Sequence, residues 1–466
     1  MTPSWIYDLI FYQIFPDRFY NGDRSNDPAN VQPWGSEPTL WEFQGGDLAG
    51  IVQKLDYLQS LGVNALYLNP IFQASSVHRY NTFDYYKIDP KLGTMDDFQR
   101  LLTEAHARGM RVFLDGVFNH CGRGFFAFQD VLENQAHSEY VDWFHIKSFP
   151  LDACGEGQAK NYEAWWAFKS LPKFNTDNPD VRKYMMGVAR YWIEQGADGW
   201  RLDVPNEIDD DDFWAEFRET VRSVNPEAFL IGEIWTADPR WVSPGHFDSL
   251  MHYPFRSQLL DYLALGIITA SEFLANIDAL YRLYSHEQAI AQFLLLGSHD
   301  TKRIRTICKD HIDLVQLAYL ALFSYPGIPS IYYGDEIGMR GGKDPACRGA
   351  FPWNEDVWEP SLWQNLHSLI QLRIELPALR YGTFKPIAAD DEGKTTAFAR
   401  THAGRSTLTA LNPSANRQHV VIPMDHVGWE SKTTLARFPA DGEIVVSDGH
   451  ILMDLEARTG VLLYEP

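Results

Sequence analysis

Apolar residues along the chain follow two alternating rhythms. Short runs that are almost wholly apolar, at 10–15, 63–68, 110–117, 199–203, 229–233, 247–251, 293–297 and 330–333, read as buried strands. Between the strands, apolar residues recur three and four apart. Leu48, Ile51, Val52, Leu55 and Leu58 form one such face; Phe98, Leu101, Leu102 and Ala105 form another. Val181, Tyr184, Met185, Val188 and Trp192 form a third, and Phe213, Trp214, Phe217 and Val221 a fourth. These predict helices, opened at Asp47, Thr94 and Asn178-Pro179 and stopped at Gly62, Gly109 and Gly196. Eight strand-then-helix units in about 370 residues predict an α/β fold, a TIM (β/α)8 barrel. A doubly wound sheet would carry a glycine-rich phosphate loop after its first strand, and Ile14-Phe15-Pro16-Asp17-Arg18 has none.

Two stretches break the rhythm. About sixty residues separate the third strand from the helix at Asn178, far beyond an ordinary connection. Residues 120–172 are rich in aromatics (Trp143, Phe144, Tyr162, Trp165, Trp166) and predict an excursion domain over the barrel mouth. After Pro377, short runs at 395–400, 406–411, 418–422, 443–446, 451–455 and 460–464 are separated by turn residues. They predict a C-terminal antiparallel β-sandwich. The domains expected are a barrel at 1–119 and 173–377, the excursion at 120–172 and the β domain at 378–466.

Composition narrows the function classes. With 40 Lys+Arg against 62 Asp+Glu, the net charge of −22 disfavours nucleic acid and anionic membrane as partners. The 15 Trp, 22 Tyr and 28 Phe exceed what a core alone needs, and aromatics outside it stack on flat apolar faces such as sugar rings. Cys121, Cys154, Cys308 and Cys347 are scattered, without zinc-ligand spacing, and read as free thiols of a reducing compartment. With no basic-then-apolar leader and no bilayer-length apolar run, a cytoplasmic location is expected.

The candidate chemistry lies where strands end. Asp115 (followed by Asn119-His120), Asp203, Glu233 and His299-Asp300 each follow a different barrel strand, and strand C-terminal ends share one mouth. Any one such acid is as readily a helix cap or a surface charge. Four arriving together is not accidental. Paired carboxylates without a metal cluster or a Ser/His elbow fit glycoside hydrolysis. Arg201, two residues before Asp203, is expected to hold that acid ionised, as a nucleophile needs. Glu233 lies in the apolar run Phe-Leu-Ile-Gly-Glu-Ile-Trp, which is expected to keep it protonated as the general acid. Asp300 remains as a third carboxylate, and His120 and His299 are placed to bind sugar hydroxyls.

Four stretches, Asp115-Gly-Val-Phe-Asn-His120, Gly199-Trp-Arg-Leu-Asp203, Gly232-Glu-Ile-Trp235 and Gly297-Ser-His-Asp300, resemble in order the conserved regions of the α-amylase family of retaining glycosidases. The resemblance implies Asp203 as nucleophile, Glu233 as acid/base and Asp300 as transition-state stabiliser, with Arg201, His120 and His299 lining the cleaved subsite. It also implies that Tyr80 stacks under the sugar there, and that Trp235 and Glu207 set acceptor-side specificity. Leu171-Pro-Lys-Phe-Asn175, Val204-Pro-Asn-Glu207 and Tyr332-Tyr-Gly-Asp-Glu-Ile-Gly-Met339 are most similar to the neopullulanase, cyclomaltodextrinase and maltogenic amylase branch, whose members cleave α-1,4 and α-1,6 glucosidic bonds. The expected substrates are maltooligosaccharides, cyclodextrins, pullulan or branched glucans. The alternatives are a 4-α-glucanotransferase or transglycosylating debranching enzyme and, from another class, a non-catalytic glycan-binding relative. That branch usually carries an N-terminal β-domain used for dimer formation; the first barrel strand begins near residue 10, so neither that domain nor its dimer is expected, and the oligomeric state stays open. Asn81 and Pro205 stand where Asp and Ala are expected. Asn21, Asp23, Asn26 and Asp27, with Gly45 and Asp47, resemble the branch's structural calcium site, and clustered oxygen ligands suit that ion; an ordinary Asn/Asp turn is the alternative.

Overall fold

The computed structural model describes residues 3–155, 157–429, 434–440 and 444–466. The barrel is built from β1 (Phe11–Ile14), β2 (Ala65–Leu68), β5 (Arg111–Gly116), β6 (Gly199–Leu202), β7 (Phe229–Gly232), β8 (Ser249–Leu250), β9 (Phe293–Leu294) and β10 (Ile328–Tyr332). All pair in parallel, in the order β8-β7-β6-β5-β2-β1-β10-β9, and a parallel bridge from Met251 to Phe293 closes the ring. The sixth and seventh strands are two residues long, shorter than the apolar runs 247–251 and 293–297 suggest.

Period-two alternation sorts the strand side chains into two layers. Phe11, Ala65, Tyr67, Phe113, Phe229, Ile231, Phe293 and Ile328 form a cluster inside the barrel. Their neighbours Tyr12, Leu66, Leu68, Val112, Leu114, Trp200 and Leu230 pack outward against the helices. Because inward positions recur every second residue, Asp115 follows Phe113 inward, and Arg201 and Asp203 follow Gly199. Glu233 follows Ile231. The same parity that fills the barrel thus delivers charge to its C-terminal mouth.

Two insertions rise from that mouth. Antiparallel β3 (Phe72–Ala74) and β4 (Thr82–Ile88) form a hairpin after β2 that sequence periodicity misses. Its register shifts twice within three residues, so no regular alternation marks it. Trp192, on the helix Pro179–Glu194, donates its indole N–H to the Tyr85 carbonyl at 2.7 Å and stacks on Phe72 at 4.7 Å, anchoring the hairpin. The second insertion, after β5, holds among the described residues the α-helix Phe126–Asn134 and three single 3-10 turns, and is otherwise stitched by single antiparallel bridges, with His120 to Lys173 at its base.

The C-terminal domain places β11 (Thr383–Asp390), β12 (Thr395–His402), β13 (Arg405–Asn412), β18 (Thr459–Tyr464) and β15 (Ala436–Phe438) in one antiparallel sheet. A second sheet holds β14 (Gln418–Pro423), β17 (His450–Leu455) and β16 (Val445–Ser447). Ala399, Leu408, Val420, Ile422, Ile451 and Val461 fill the space between them. The expectations omit β11, whose alternation is broken by a bulge between Pro386 and Ala388, and the short β15; Glu443 of the expected strand 443–446 lies outside the described residues. The helix Ile312–Ser324 is apolar on every side because it lies between barrel and β domain. Arg400 fastens the junction, donating to the carbonyls of Ser324 at 3.1 Å and Gly382 at 3.0 Å.

Trp192→Ala removes a fully buried ring and the hairpin's anchor. It is expected to cost about 3–5 kcal/mol, read as a lower urea midpoint.

Candidate active site

One guanidinium organises the mouth. Arg201 donates through Nη1 to Asp115 Oδ1 at 2.7 Å and to Asp203 Oδ1 at 2.9 Å, while Nη2 lies 2.9 Å from Glu233 Oε2. All four side chains are buried. Strand register brings them together, for Asp115 is paired with Arg201 on the adjacent strand and Leu202 with Gly232. Asp115 is fully engaged, its second oxygen accepting the hydroxyls of Tyr67 and Tyr80, each at 2.7 Å. It therefore orients Arg201 and is not free to react.

Three buried carboxylates share one cation, and this corrects the expectation for Asp203. Burial drives its carboxyl well above the usual carboxylate range, Arg201 opposes that rise, and Glu233 and Asp115 add to it. Arg201 limits the shift without reversing it. The expected apolar setting of Glu233 is also corrected. Its Oε2 accepts from the Val204 backbone N–H at 3.0 Å and its Oε1 from Trp235 Nε1 at 3.3 Å. Val204, directly after Asp203, adopts φ 36°, ψ 51°, a left-handed conformation costly for a β-branched residue. Trp235 is half exposed and stacks on Tyr253 with ring centroids 3.7 Å apart.

The third acid hangs on His299. Gln13 Nε2 lies 2.9 Å and Asn69 Nδ2 3.1 Å from His299 Nδ1. Both amides are donors, so Nδ1 accepts and the ring proton sits on Nε2. Nε2 lies 2.6 Å from the Tyr80 hydroxyl and 3.1 Å from Asp300 Oδ2. Burial, then Arg348 and Arg201, push His299 well below the ordinary histidine value, so it is neutral. Tyr80 stacks on it, centroids 5.2 Å apart and planes 8° apart. Asp300 keeps 30% of its side-chain surface open, and burial, then Glu233, raise its carboxyl to about 7 against the pull of Arg348 at 3.6 Å.

His120 accepts at Nδ1 from Asn119 Nδ2 at 3.2 Å. Burial lowers it to about 3 against a hydrogen bond to the Tyr80 backbone, so it too is neutral. Trp165 stacks on its ring at 5.5 Å and Trp166 on Trp165 at 4.9 Å. Tyr80, His120, Arg201, His299 and Trp235 therefore belong to one connected site with the three acids. Glu207 joins it through its backbone, the N–H donating to the Val204 carbonyl at 3.0 Å and the carbonyl accepting from Lys173 at 2.8 Å. Sequence reasoning missed Gln13, Tyr67, Asn69 and Arg348, and gave Asp115 no role. Gln13 and Tyr67 lie at inward positions within β1 and β2, Asn69 follows β2, and Arg348 lies in the segment after β10.

The Asn/Asp loop sits apart, beside β1. The side-chain oxygens of Asn21 and Asn26 are buried without partners among the described residues. Asn21 Nδ2 donates to Asp27 Oδ1 at 2.8 Å, and Gly45, at φ 82°, lies where any side chain would strike both. Asp47 caps the helix Leu48–Gln53, accepting from Gly50 at 2.6 Å and also from Gly22 and Asp23 N–H groups at 3.1 and 2.8 Å. Asp23 turns outward, accepting from Ser25 N–H at 2.9 Å.

A carboxyl raised on folding holds a proton that the unfolded chain releases, so its contribution to stability falls as pH rises from the unfolded value through about 7. Asp300→Asn removes that loss. The variant is expected to melt a few degrees above the parent at pH 8, the gap closing below about pH 4, in calorimetric scans across that range.

Comparison with known proteins agrees with the geometry. Residues 13–368 match the alpha amylase catalytic domain. The chain is 42% identical to a cyclomaltodextrinase of Geobacillus thermopakistaniensis, over 95% of this chain and 75% of that protein. It is 41% identical to neopullulanase 2 of Thermoactinomyces vulgaris, over 99% of this chain and 78% of that protein. The solved cyclic alpha-maltosyl-(1→6)-maltose hydrolase of Arthrobacter globiformis superposes with a TM-score of 0.90 at 39% identity, covering 99% of both chains. The chain belongs to the alpha-amylase family of glycoside hydrolases.

Proposed function

We propose that this glycosidase cleaves α-1,4 and α-1,6 glucosidic bonds in cyclodextrins, pullulan and branched or linear maltooligosaccharides. The sharing of Arg201 between Asp203 and Glu233 carries the reading, because it sets two carboxylates of opposite task side by side. Asp203 Oδ1 is held by Arg201, leaving Oδ2 to attack the anomeric carbon. Glu233 Oε2 pairs with Arg201 at 2.9 Å and accepts the Val204 N–H, which leaves Oε1, the oxygen beside Trp235, to serve the leaving group. In the first step the bond from Asp203 Oδ2 to the anomeric carbon forms, the glycosidic bond breaks, and the Oε1 proton passes to the leaving oxygen. In the second, Glu233 takes a proton from water, the hydroxyl bonds to the anomeric carbon, and Asp203 leaves. Asp300 faces the positive charge that develops between these states; His299, whose N–H is held by Tyr80 and Asp300, positions those two groups, and His120 is left to meet sugar hydroxyls.

The half-exposed ring of Trp235 beside the acid supports a second outcome. A sugar stacked there would compete with water and turn hydrolysis into transfer. The excursion's Trp165 and Trp166, together with Tyr80, Trp235 and Glu207, are the residues we assign to choosing the substrate.

We further propose that Asn21, Asp23, Asn26, Asp27, Gly45 and Asp47 hold a structural calcium ion. The unpartnered buried oxygens of Asn21 and Asn26 support it, since hard cations take neutral amide oxygens alongside carboxylates. The four cysteines, none paired among the described residues, support a reducing, cytoplasmic setting.

Asp203→Asn is expected to lower kcat at least about 10⁴-fold while the melting curve is kept; near-parental turnover overturns the mechanism. Proton NMR of the parent reaction should reveal the α-anomer first. Arg201→Lys loses the shared fork, so Asp203 rises further and the acid limb of kcat/KM moves to higher pH; a limb that stays put or moves down counts against the role of Arg201. Chelation by EDTA is expected to lower the melting temperature and added Ca²⁺ to restore it.

A further inference from the structure

A cleft of about 660 Å³ opens between the loop that follows β1 and the segment that follows β10. None of Asp203, Glu233 or Asp300 lines it. Its size falls in the range of small-ligand sites. We propose that this cleft is a second carbohydrate site, taking a short neutral α-glucan segment away from the point of cleavage; the proposal rests on the glucan reading given above.

The cleft is rigid and two-walled. On one side stands Trp34, half-buried, its indole N–H fixed to the Phe351 carbonyl at 2.9 Å. Its ring faces have no aromatic partner among the described residues. The loop that carries it is braced from behind. Gln32 N–H donates to the Phe43 carbonyl at 2.8 Å, and the buried Gln44 accepts from Gly35 N–H and donates to the Ser36 carbonyl, both at 2.9 Å. Opposite stand Tyr20 and Trp353, set edge to face at 5.7 Å; Trp353 donates to the Phe19 carbonyl at 2.6 Å, Lys54 Nζ lies over both rings at 4.1 and 4.0 Å, and Phe351 packs on Trp353 at 4.2 Å, so this wall is braced and Trp34 is the ring that keeps a face for a ligand. Rings held this firmly lose little entropy on binding.

The polar groups between the walls select the ligand. Gln32 and Asn354 contribute amides, and Arg24 and Asp27 contribute one charge of each sign. A balanced, amide-rich rim beside the Trp34 face suits a neutral polyol with apolar C–H faces. It does not suit an anion or a wholly apolar molecule. Asn21 and Asp27 line this cleft and also belong to the proposed calcium loop, so the ion would order one wall of it. A glucan held here remains near the catalytic mouth and is presented again after each cut, a gain in effective concentration without any change in chemistry.

The test uses the full chain carrying Asp203→Asn, which binds without turnover, titrated with maltotetraose by calorimetry. Binding in two phases is expected, with the weaker phase weakened at least about tenfold by Trp34→Ala and by Gln32→Ala, and the stronger phase unmoved. Gln32→Ala guards against misfolding, because among the described residues the only side-chain bond of Gln32 is from Nε2 to the Asn30 carbonyl at 3.1 Å. A single phase unaffected by both substitutions overturns the second site; turnover of maltotetraose by the active enzyme carrying Trp34→Ala would then still uphold the glucan reading. Absence of maltotetraose binding together with absence of turnover in the parent overturns both.

Discussion

A single buried cation among carboxylates is the constraint on which the rest depends. Arg201 is 1% exposed and faces Asp115, Asp203 and Glu233 at hydrogen-bonding distance. Desolvating such a group is costly, and it persists only where its partners are fixed and bonded in turn. The two tyrosine hydroxyls on Asp115 supply that fixing, and those tyrosines come from β2 and from the β3–β4 hairpin. Closing the barrel, placing the hairpin and fixing the guanidinium are therefore one problem. Strand parity solves it, because the positions that would carry the next layer of core carry charge instead.

Beyond Arg348, which reaches Asp300 at 3.6 Å, the groups around the site bring amides and neutral rings, not positive charge. His120 and His299 are both neutral, and Gln13, Asn69 and Asn119 reach them with amides. The site is therefore rich in negative charge relative to its one central cation, with Arg348 at its margin. Such a site resists ionising all its acids together, and that resistance is useful: one member of the Asp203–Glu233 pair must keep a proton for the leaving oxygen while the other gives its proton up. A sugar developing positive charge relieves the imbalance that the empty site sustains, which is the sense in which the site fits the transition state better than the ground state.

Much of this was legible before any coordinates. Residues that end apolar strands are exposed to reading because chemistry interrupts a pattern that packing would otherwise continue; Asp203, Glu233 and Asp300 stand out for that reason. The partners were not legible. Tyr67 and Gln13 are ordinary strand residues by composition, and only the closure of the ring sets them against Asp115 and His299. The direction of the Asp203 shift was misjudged for a related reason. A sequence places Arg201 two residues away, but only burial, together with Glu233 and Asp115 arriving from neighbouring strands, shows that desolvation outweighs one favourable charge. The hairpin and β11 escaped because register shifts and a bulge erase the alternation that marks a strand.

Two left-handed stretches fall beside the chemistry. Val204, beside the nucleophile, and Trp166 with Ala167, at the tip of the excursion, take left-handed conformations that none of the three adopts without cost. At Val204 the return is visible: its N–H is turned onto Glu233, so the residue after one catalytic acid holds the other. At Trp166 the backbone puts a 72% exposed indole at the outer end of a stack running through Trp165 to His120. A core would have buried that ring. Its position continues the catalytic floor outward as an aromatic surface, so the same rings that fix His120 also offer the face along which a glucan would approach. Selection among glucans then depends on how far this stack, Trp235 and the rim let a curved or branched chain descend toward Asp203, not on the acids themselves.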